Sequence, residues 1–406
     1  MADRIVMLIL DGIGDRPVVE LHGRTPLEAA RTPNLDSLAK KGVNGIMDTI
    51  KPGVIPGSDT GHLALLGYDP YEVYTGRGPF EAAGIGMELR PGEVAFRCNF
   101  ATLKDGKVVD RRAGRIKQGT DELADAIRGM EFDVDFEFIE SVEHRAVLLL
   151  KDPTLGPYVS DVDPHEEGLP ILRSEAVEGD EASQRTAGLI NKFAEMSVDV
   201  LSEHPVNSKR EENGLPPANI ILPRGAGSVP DLKPLKELKG INSAAIAGIP
   251  LVRGVCELAE MEVIQVEGAT GGLDTDIGAI MEAIIDNIDD HDLMLVNIKG
   301  PDLPGHDGDH QQKIDFIQRI DGALPILDQI DDTYIAITGD HSTPVTVKNH
   351  SGDPLPLTIC GEEVRVDDVD SYGERSCAKG GLGRIKGTDL LNVLLDLAKK
   401  AEKFGA

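Results

Sequence analysis

The sequence predicts an α/β fold with a mainly parallel sheet, into which a smaller α/β domain is inserted. Three observations carry that expectation. Apolar runs at residues 5–10, 293–298 and 334–338 each stop abruptly at a polar loop, as strands buried on both faces do. Segments with helical spacing lie between such runs. At 406 residues, moreover, the chain is too long for one ordinary core, so two domains or one domain carrying an insertion are expected.

Residues 5–10 form the first strand and end at Asp11-Gly12. Thr32-Pro-Asn-Leu-Asp-Ser-Leu-Ala then opens a helix, with Thr32 as its cap and Pro33 at its first position. The middle reads differently. Strand candidates at 135–142 and 145–150 follow one another too closely for a doubly wound sheet, and Ile190, Phe193, Ala194, Met196 and Leu201 mark a long helix. The expected division is therefore a core domain of residues 1–119 and 270–406, with 120–269 as an inserted substrate-binding or cap domain. Beyond it come the strands at 293–298 and 334–338. Between them Ile314, Ile317, Ile320, Leu324, Leu327 and Ile330 lie on one helical face, bent near Pro325. An apolar segment at 355–360 and a last helix over 390–398, capped by Thr388, close the chain.

Lys plus Arg number 41 against 70 Asp plus Glu, a net charge of −29 that argues against nucleic acid or an anionic membrane as partner. Such a field also repels small anions, so a site for an anionic substrate must reverse the sign locally. Cys98, Cys256, Cys360 and Cys377 are widely spaced and suggest neither a disulfide framework nor a cysteine zinc site. No apolar run approaches the roughly 18 residues needed to span a bilayer, and the opening run is too short for a secretory signal. The expectation is a cytoplasmic protein; the oligomeric state is not legible.

The chemistry concentrates near the C-terminus. Asp302 and His306 lie in Lys-Gly-Pro-Asp-Leu-Pro-Gly-His, Asp340 and His341 in Thr-Gly-Asp-His-Ser, and His350 in Asn-His-Ser-Gly-Asp-Pro. Each motif alone is commonplace. Their joint occurrence at strand ends, where ligands gather in parallel sheets, points to a metal site. Asp11 after the first strand, and Ser58 in Pro-Gly-Ser-Asp-Thr-Gly-His, would complete it from the other end of the chain. Oxygen and nitrogen donors of this kind suit Mn, Mg, Zn or Co. Two dications against the carboxylates of Asp11, Asp302 and Asp340 leave a surplus of about one positive charge for a phosphate, and coordination would activate the Ser58 hydroxyl as a nucleophile. His62, in the same loop, either takes part or shapes the turn. Arg111, Arg112, Arg115, Arg210, Arg224 and Lys299 are the cations available to hold the rest of an anionic substrate.

Taken together, Leu-Asp-Gly-Ile-Gly-Asp, Arg-Thr-Pro-Asn-Leu-Asp, Gly-Ser-Asp-Thr-Gly-His, Thr-Gly-Arg-Gly-Pro-Phe-Glu, Asp-Arg-Arg-Ala-Gly-Arg-Ile, Lys-Gly-Pro-Asp-x-x-Gly-His-Asp-Gly and Thr-Gly-Asp-His-Ser-Thr-Pro resemble, nearly end to end, the archaeal-type cofactor-independent phosphoglycerate mutases of the alkaline phosphatase superfamily. The resemblance implies an alkaline-phosphatase-like three-layer core. It implies two divalent ions, manganese first among Mn, Mg, Co and Zn, one held by Asp302, His306 and His350 and the other by Asp11, Asp340, His341 and Ser58. It also implies a transient phosphoserine at Ser58 and no need for bisphosphoglycerate. Pro301 stands where the family often has Thr, and the carboxylate that follows is unaffected.

The implied reaction is isomerisation of 3-phosphoglycerate and 2-phosphoglycerate. A phosphoserine in water hydrolyses, so a closing cleft between the two domains is expected to exclude solvent. The same metals and serine would serve a phosphomonoesterase of that superfamily if water reached the intermediate. A sulfatase or phosphopentomutase fits fewer of the loops, and a catalytically silent metal-binding protein fits poorly with an intact serine and ligand set.

Overall fold

The structure, a computed structural model, describes residues 3–403 and 405. Among these the strands, in chain order, are β1 (Arg4–Leu10), β2 (Gly42–Asp48), β3 (Val94–Lys104), β4 (Lys107–Asp110), β5 (Asp135–Glu140), β6 (Arg145–Lys151), β7 (Ile220–Gly227), β8 (Ser243–Ala247), β9 (Glu262–Val263), β10 (Leu293–Ile298), β11 (Thr333–Thr338), β12 (Leu355–Cys360) and β13 (Gly383–Lys386).

Eight of them form one sheet in the order β13-β2-β12-β11-β1-β10-β8-β9, in which β12 alone runs against its neighbours. The sheet is thus mainly parallel, as expected. β10 and β12 are buried at every position and β1 at all but its first, so both faces of the sheet are covered. Register fixes what matters next. Leu10 pairs with Ile298 and Ile9 with Thr338, so β11, β1 and β10, side by side at the centre, end together, and the loops after them start from one edge.

The chain divides into two compact units, Met1–Tyr74 with Leu232–Ala406, and Thr75–Asp231. The division differs from residues 120 and 269. β3, placed by sequence in the first unit, pairs antiparallel with β6 and β7, while β8, placed in the insertion, pairs in parallel with β10. Strand pairing at long sequence separation decides membership, and no local signal at 75 or 231 marks it. The second sheet, β4-β3-β6-β5 with β7 on the other side of β3, is antiparallel throughout, so this unit has α+β rather than α/β character. One of its faces is an apolar core of Phe96, Cys98, Phe100, Phe138, Leu148 and Leu150 against Ile190 and Phe193 of the helix Glu181–Leu201.

Two helix caps also differ. Pro33 does open the helix Pro33–Lys41, but Thr32 makes no side-chain cap. The carboxylate of Asp321 accepts from the backbone N–H groups of Asn34 and Leu35 at 2.9 and 2.8 Å instead. The last helix, Gly387–Leu397, has Thr388 inside its first turn, and Asp389 accepts from the Lys386 N–H at its start. The helix His310–Ala323 passes into a 3-10 turn, Leu324–Gln329, where Pro325 removes a donor. The four cysteines are free and buried, and no described helix is long and apolar enough to cross a membrane.

Candidate metal centre

Asp11 follows β1, Asp302 follows β10 and opens the short helix Asp302–Asp307, and Asp340 and His341 follow β11. All four are essentially inaccessible to solvent. Ser58 is not in a loop, as the sequence suggested, but at the first position of the helix Ser58–Leu65, where unpaired backbone N–H groups favour an anion. That helix closes tightly on the Asp340 loop: a Cβ on Gly61 would lie 2.9 Å from the Asp340 carbonyl oxygen. Gly12 is constrained twice over, by a φ of +68° and by Asp302, whose Cα a side chain there would meet at 2.7 Å.

The imidazoles are oriented by their Nδ1 atoms. His350 Nδ1 faces the Pro56 carbonyl at 2.9 Å and His306 Nδ1 the Lys348 carbonyl at 3.2 Å. Thr343 donates its hydroxyl to Asp302 at 2.6 Å, so the contact of His341 Nδ1 with Thr343 Oγ1, at 3.0 Å, makes the imidazole the donor. The network thereby assigns N–H to Nδ1 and a lone pair to Nε2 on all three rings. Those lone pairs face oxygens. His341 Nε2 lies 3.4 Å from Asp11 and 3.3 Å from Asp340, and His306 and His350 Nε2 lie 3.4 and 3.7 Å from Asp302. Burial, then the neighbouring His350, lowers the pKa of His341 well below its ordinary value, and burial lowers that of His350, so neither ring offers a second proton.

Acceptors facing acceptors need a cation. Asp340 Oδ2 is buried and accepts no hydrogen bond among the described residues, and burial followed by the charge of Asp11 drives this carboxyl well above its usual range. Asp302 goes the other way: burial raises it, but neighbouring positive charge, that of Lys299 first, outweighs this and holds it well below. Lys299 donates to Asp11 at 2.8 Å and pairs with Asp302 at 2.7 Å, a single positive charge among three carboxylates. Among the described residues two groups of side chains converge closely enough to hold an ion, Asp302 with His341 and His350, and Asp11 with Asp340 and His341. His341 thus belongs to both, whereas the resemblance gave it to one ion only. His306 reaches the first group through Asp302. The donor set, the orphaned Asp340 oxygen and the inward lone pairs fit divalent cations.

The expected substrate residues separate into different roles. His62 is wholly buried. Its Nδ1 donates to the Ser58 carbonyl at 2.7 Å and its Nε2 accepts from Asn297 at 3.2 Å, so both nitrogens are spent within the protein, holding the helix. Arg210 is likewise committed, to the carbonyls of Pro216 and Ala113 at 3.0 and 2.7 Å. Arg111 forms a two-pronged pair with buried Asp163, at 2.8 and 2.5 Å. Arg112 and Arg115 are exposed on a turn in which Ala113, Gly114 and Arg115 all have positive φ, and Asp110 accepts from the Arg112 and Gly114 N–H groups to hold it. Arg224 is mostly buried near Asp163.

Sequence reasoning missed four supports. Asn297 donates to Asp11 as well as to His62, and Thr343 bridges Asp302 and His341. A lone polar residue at the end of an apolar strand was the available signal for Asn297. Lys313, fully buried, binds Asp15 at 2.8 Å, the Gly14 carbonyl at 3.3 Å and the Thr343 carbonyl at 2.9 Å, so it ties the loop after β1 to the loop after β11. Glu374 accepts from the Asp15 N–H and the Thr25 hydroxyl, at 3.2 and 2.8 Å.

Burial pushes Glu374 up to about 7 from 4.5. A carboxyl raised on folding holds an extra proton in the folded state between those values, so its contribution to stability falls as pH rises through that window. Glu374→Gln keeps a neutral side chain throughout. Thermal unfolding at about pH 5 and about pH 7.5 is expected to shift in the variant's favour at the higher pH, and an unchanged difference between the two proteins would refute the assignment.

The family described as 2,3-bisphosphoglycerate-independent phosphoglycerate mutase matches residues 39–207. The chain is 54% identical over 407 residues to 2,3-bisphosphoglycerate-independent phosphoglycerate mutase 1 of Methanothermobacter thermautotrophicus, covering 99% of each. It is 51% identical over 406 residues to the 2,3-bisphosphoglycerate-independent phosphoglycerate mutase of Methanosphaera stadtmanae, again over 99% of each. Among solved structures, the PH0037 protein from Pyrococcus horikoshii superposes with a TM-score of 0.88 at 39% identity over the whole of both chains. The cofactor-independent phosphoglycerate mutase from Thermoplasma acidophilum does so with a TM-score of 0.70 at 41% identity, over 98% of this chain and 100% of that one.

Proposed function

We propose that this chain, which belongs to the family of 2,3-bisphosphoglycerate-independent phosphoglycerate mutases, interconverts 3-phosphoglycerate and 2-phosphoglycerate through a phosphoserine at Ser58, without bisphosphoglycerate. The observation that carries this reading is the position of the Ser58 hydroxyl. It lies 3.2 Å from His341 Nε2 and 3.4 Å from Lys299 Nζ, at a helix N-terminus, beside three convergent carboxylates.

Two divalent cations, manganese first, would be held by Asp302, His306 and His350 and by Asp11, Asp340, His341 and Ser58. When bound they neutralise charge on a phosphoryl group and favour ionisation of the serine hydroxyl. The residues do the rest. Ser58 Oγ gives up its proton and attacks phosphorus in line, the bond from phosphorus to the C3 oxygen breaks, and that oxygen takes up one proton in exchange. Lys299 and the N–H groups at the start of the Ser58 helix stabilise the added negative charge. The glycerate, retained by arginines, turns so that its C2 hydroxyl attacks the phosphoserine, which restores the Ser58 hydroxyl. Free thiols and the absence of a disulfide framework fit a reducing cytoplasm as the place of action.

The test is product analysis. Protein reconstituted with Mn2+ and given 3-phosphoglycerate, with no bisphosphoglycerate, is expected to yield 2-phosphoglycerate. Glycerate plus free phosphate would mark a phosphomonoesterase instead, and no product would remove both readings.

A further inference from the structure

The helix Ser58–Leu65 is joined to the loop after β1 through two side chains that the reaction itself does not use. His62 lies one turn after Ser58, and its Nδ1 donates to the Ser58 carbonyl at 2.7 Å. Burial lowers its pKa, so the ring is neutral and a lone pair stands on Nε2. That lone pair meets Asn297 Nδ2, from β10, at 3.2 Å, and the same amide nitrogen lies 3.0 Å from Asp11 Oδ2. An acceptor on each side fixes the amide, because both of its N–H bonds are spent, one on each partner.

This orientation is held against a cost. Asn297 is 2% exposed, and its Oδ1 is buried with no hydrogen-bond partner among the described residues. An acceptor withdrawn from water and left unmatched is unfavourable. Turning the amide over brings no relief, since the oxygen would then face two acceptors. The effect on Asp11 is one-sided. Its Oδ2 is taken by the amide, whereas its Oδ1 faces Lys299 Nζ at 2.8 Å and His341 Nε2 at 3.4 Å.

We infer that Asn297 is a positioning residue that makes Asp11 a one-oxygen ligand, by closing Oδ2 and leaving Oδ1 for the cation. The inference rests on the reading of Asp11, Asp340, His341 and Ser58 as ligands of one ion. A carboxylate that binds through both oxygens fills two places around an ion, so restricting Asp11 to one keeps a place for the Ser58 oxygen. It also selects among ions. Ca2+ accepts both oxygens of a carboxylate in a large, flexible shell, whereas smaller ions such as Mn2+ suit a compact octahedral one. Asn297 thereby disfavours Ca2+ without being a ligand itself.

The test is displacement of Mn2+ by Ca2+ from the full-length protein, with free Mn2+ followed by its paramagnetic resonance signal. In Asn297→Ala the amide is gone and Oδ2 is released. The Ca2+ concentration that displaces half of the bound Mn2+ is expected to fall by about tenfold to a hundredfold, the range for altering a group behind a metal ligand. Asn297→Val, whose branched side chain suits a strand, removes the same donors and stands in if the alanine variant does not fold. General loosening of the structure weakens both ions alike and leaves that concentration near its wild-type value, so an unchanged or raised value overturns the inference. Wild-type protein that binds no Mn2+ removes the metal reading and this inference with it, while wild-type binding with no shift in the variants removes this inference alone.

Discussion

Ser58→Ala is expected to lose interconversion of the phosphoglycerates by about a thousandfold or more, since removing a nucleophile leaves only the catalysis due to binding and electrostatics. Two nearby hydroxyls are already committed. Thr60 Oγ1 is held by the Gly57 N–H and carbonyl, and Thr343 Oγ1 is spent between Asp302 and His341. Substrate binding should largely survive, because Lys299 and the carboxylates and imidazoles around it remain in place. The loss should therefore fall on kcat rather than KM. The check is steady-state kinetics together with radiolabel from 32P-labelled 3-phosphoglycerate, quenched in acid. Label should appear on wild-type protein at Ser58 and vanish in the variant. Retained turnover in the absence of label would mean that phosphate moves by another route, and the role given to this serine would be wrong.

Which parts of this site could be read from sequence follows from how local each signal is. Asp11, Asp302 and Asp340 were legible because a carboxylate within four residues of the end of a short apolar run is a pattern contained within ten residues, and the sheet brings those run ends to one edge by register alone. His341 and His350 come with them. Ser58 was legible as a residue but not as a helix start, since Gly57-Ser-Asp-Thr-Gly carries the composition of a turn; the helix forms because Gly61 lets it pack against the Asp340 loop. Where one residue's role depends on a partner far along the chain, the reading failed. The cap of the helix at Pro33 comes from Asp321, and the boundary of the second unit is set by the pairing of β3 with β7. Arg210 and His62 show the converse, because a sequence does not reveal that a polar group is already hydrogen-bonded to carbonyls nearby.

Lys313→Met is expected to destabilise the Met1–Tyr74 and Leu232–Ala406 unit by about 3 to 5 kcal/mol, the cost of leaving one member of a buried ion pair without the other. The argument is one of accounting for donors and acceptors. Lys313 supplies three hydrogen bonds from a fully buried ammonium group, to Asp15 and to the carbonyls of Gly14 and Thr343. Asp15 also accepts from the Val345 N–H. Methionine fills nearly the same volume with no donor, so the effect reads the lost charge rather than a cavity. The consequence extends beyond stability. Gly14 lies three residues after Asp11, and Thr343 orients both Asp302 and His341, so loosening this tie frees two of the loops that carry the proposed ligands. Thermal unfolding followed by circular dichroism should show an earlier transition, and titration with Mn2+ should show weaker binding under conditions where the variant is still folded. Adding Asp15→Asn to Lys313→Met removes the stranded charge and should recover part of the stability but not the metal affinity, since the carbonyls of Gly14 and Thr343 remain untied. Recovery of both would show that Lys313 only balances Asp15, and the idea that it fixes the geometry of the centre would fall.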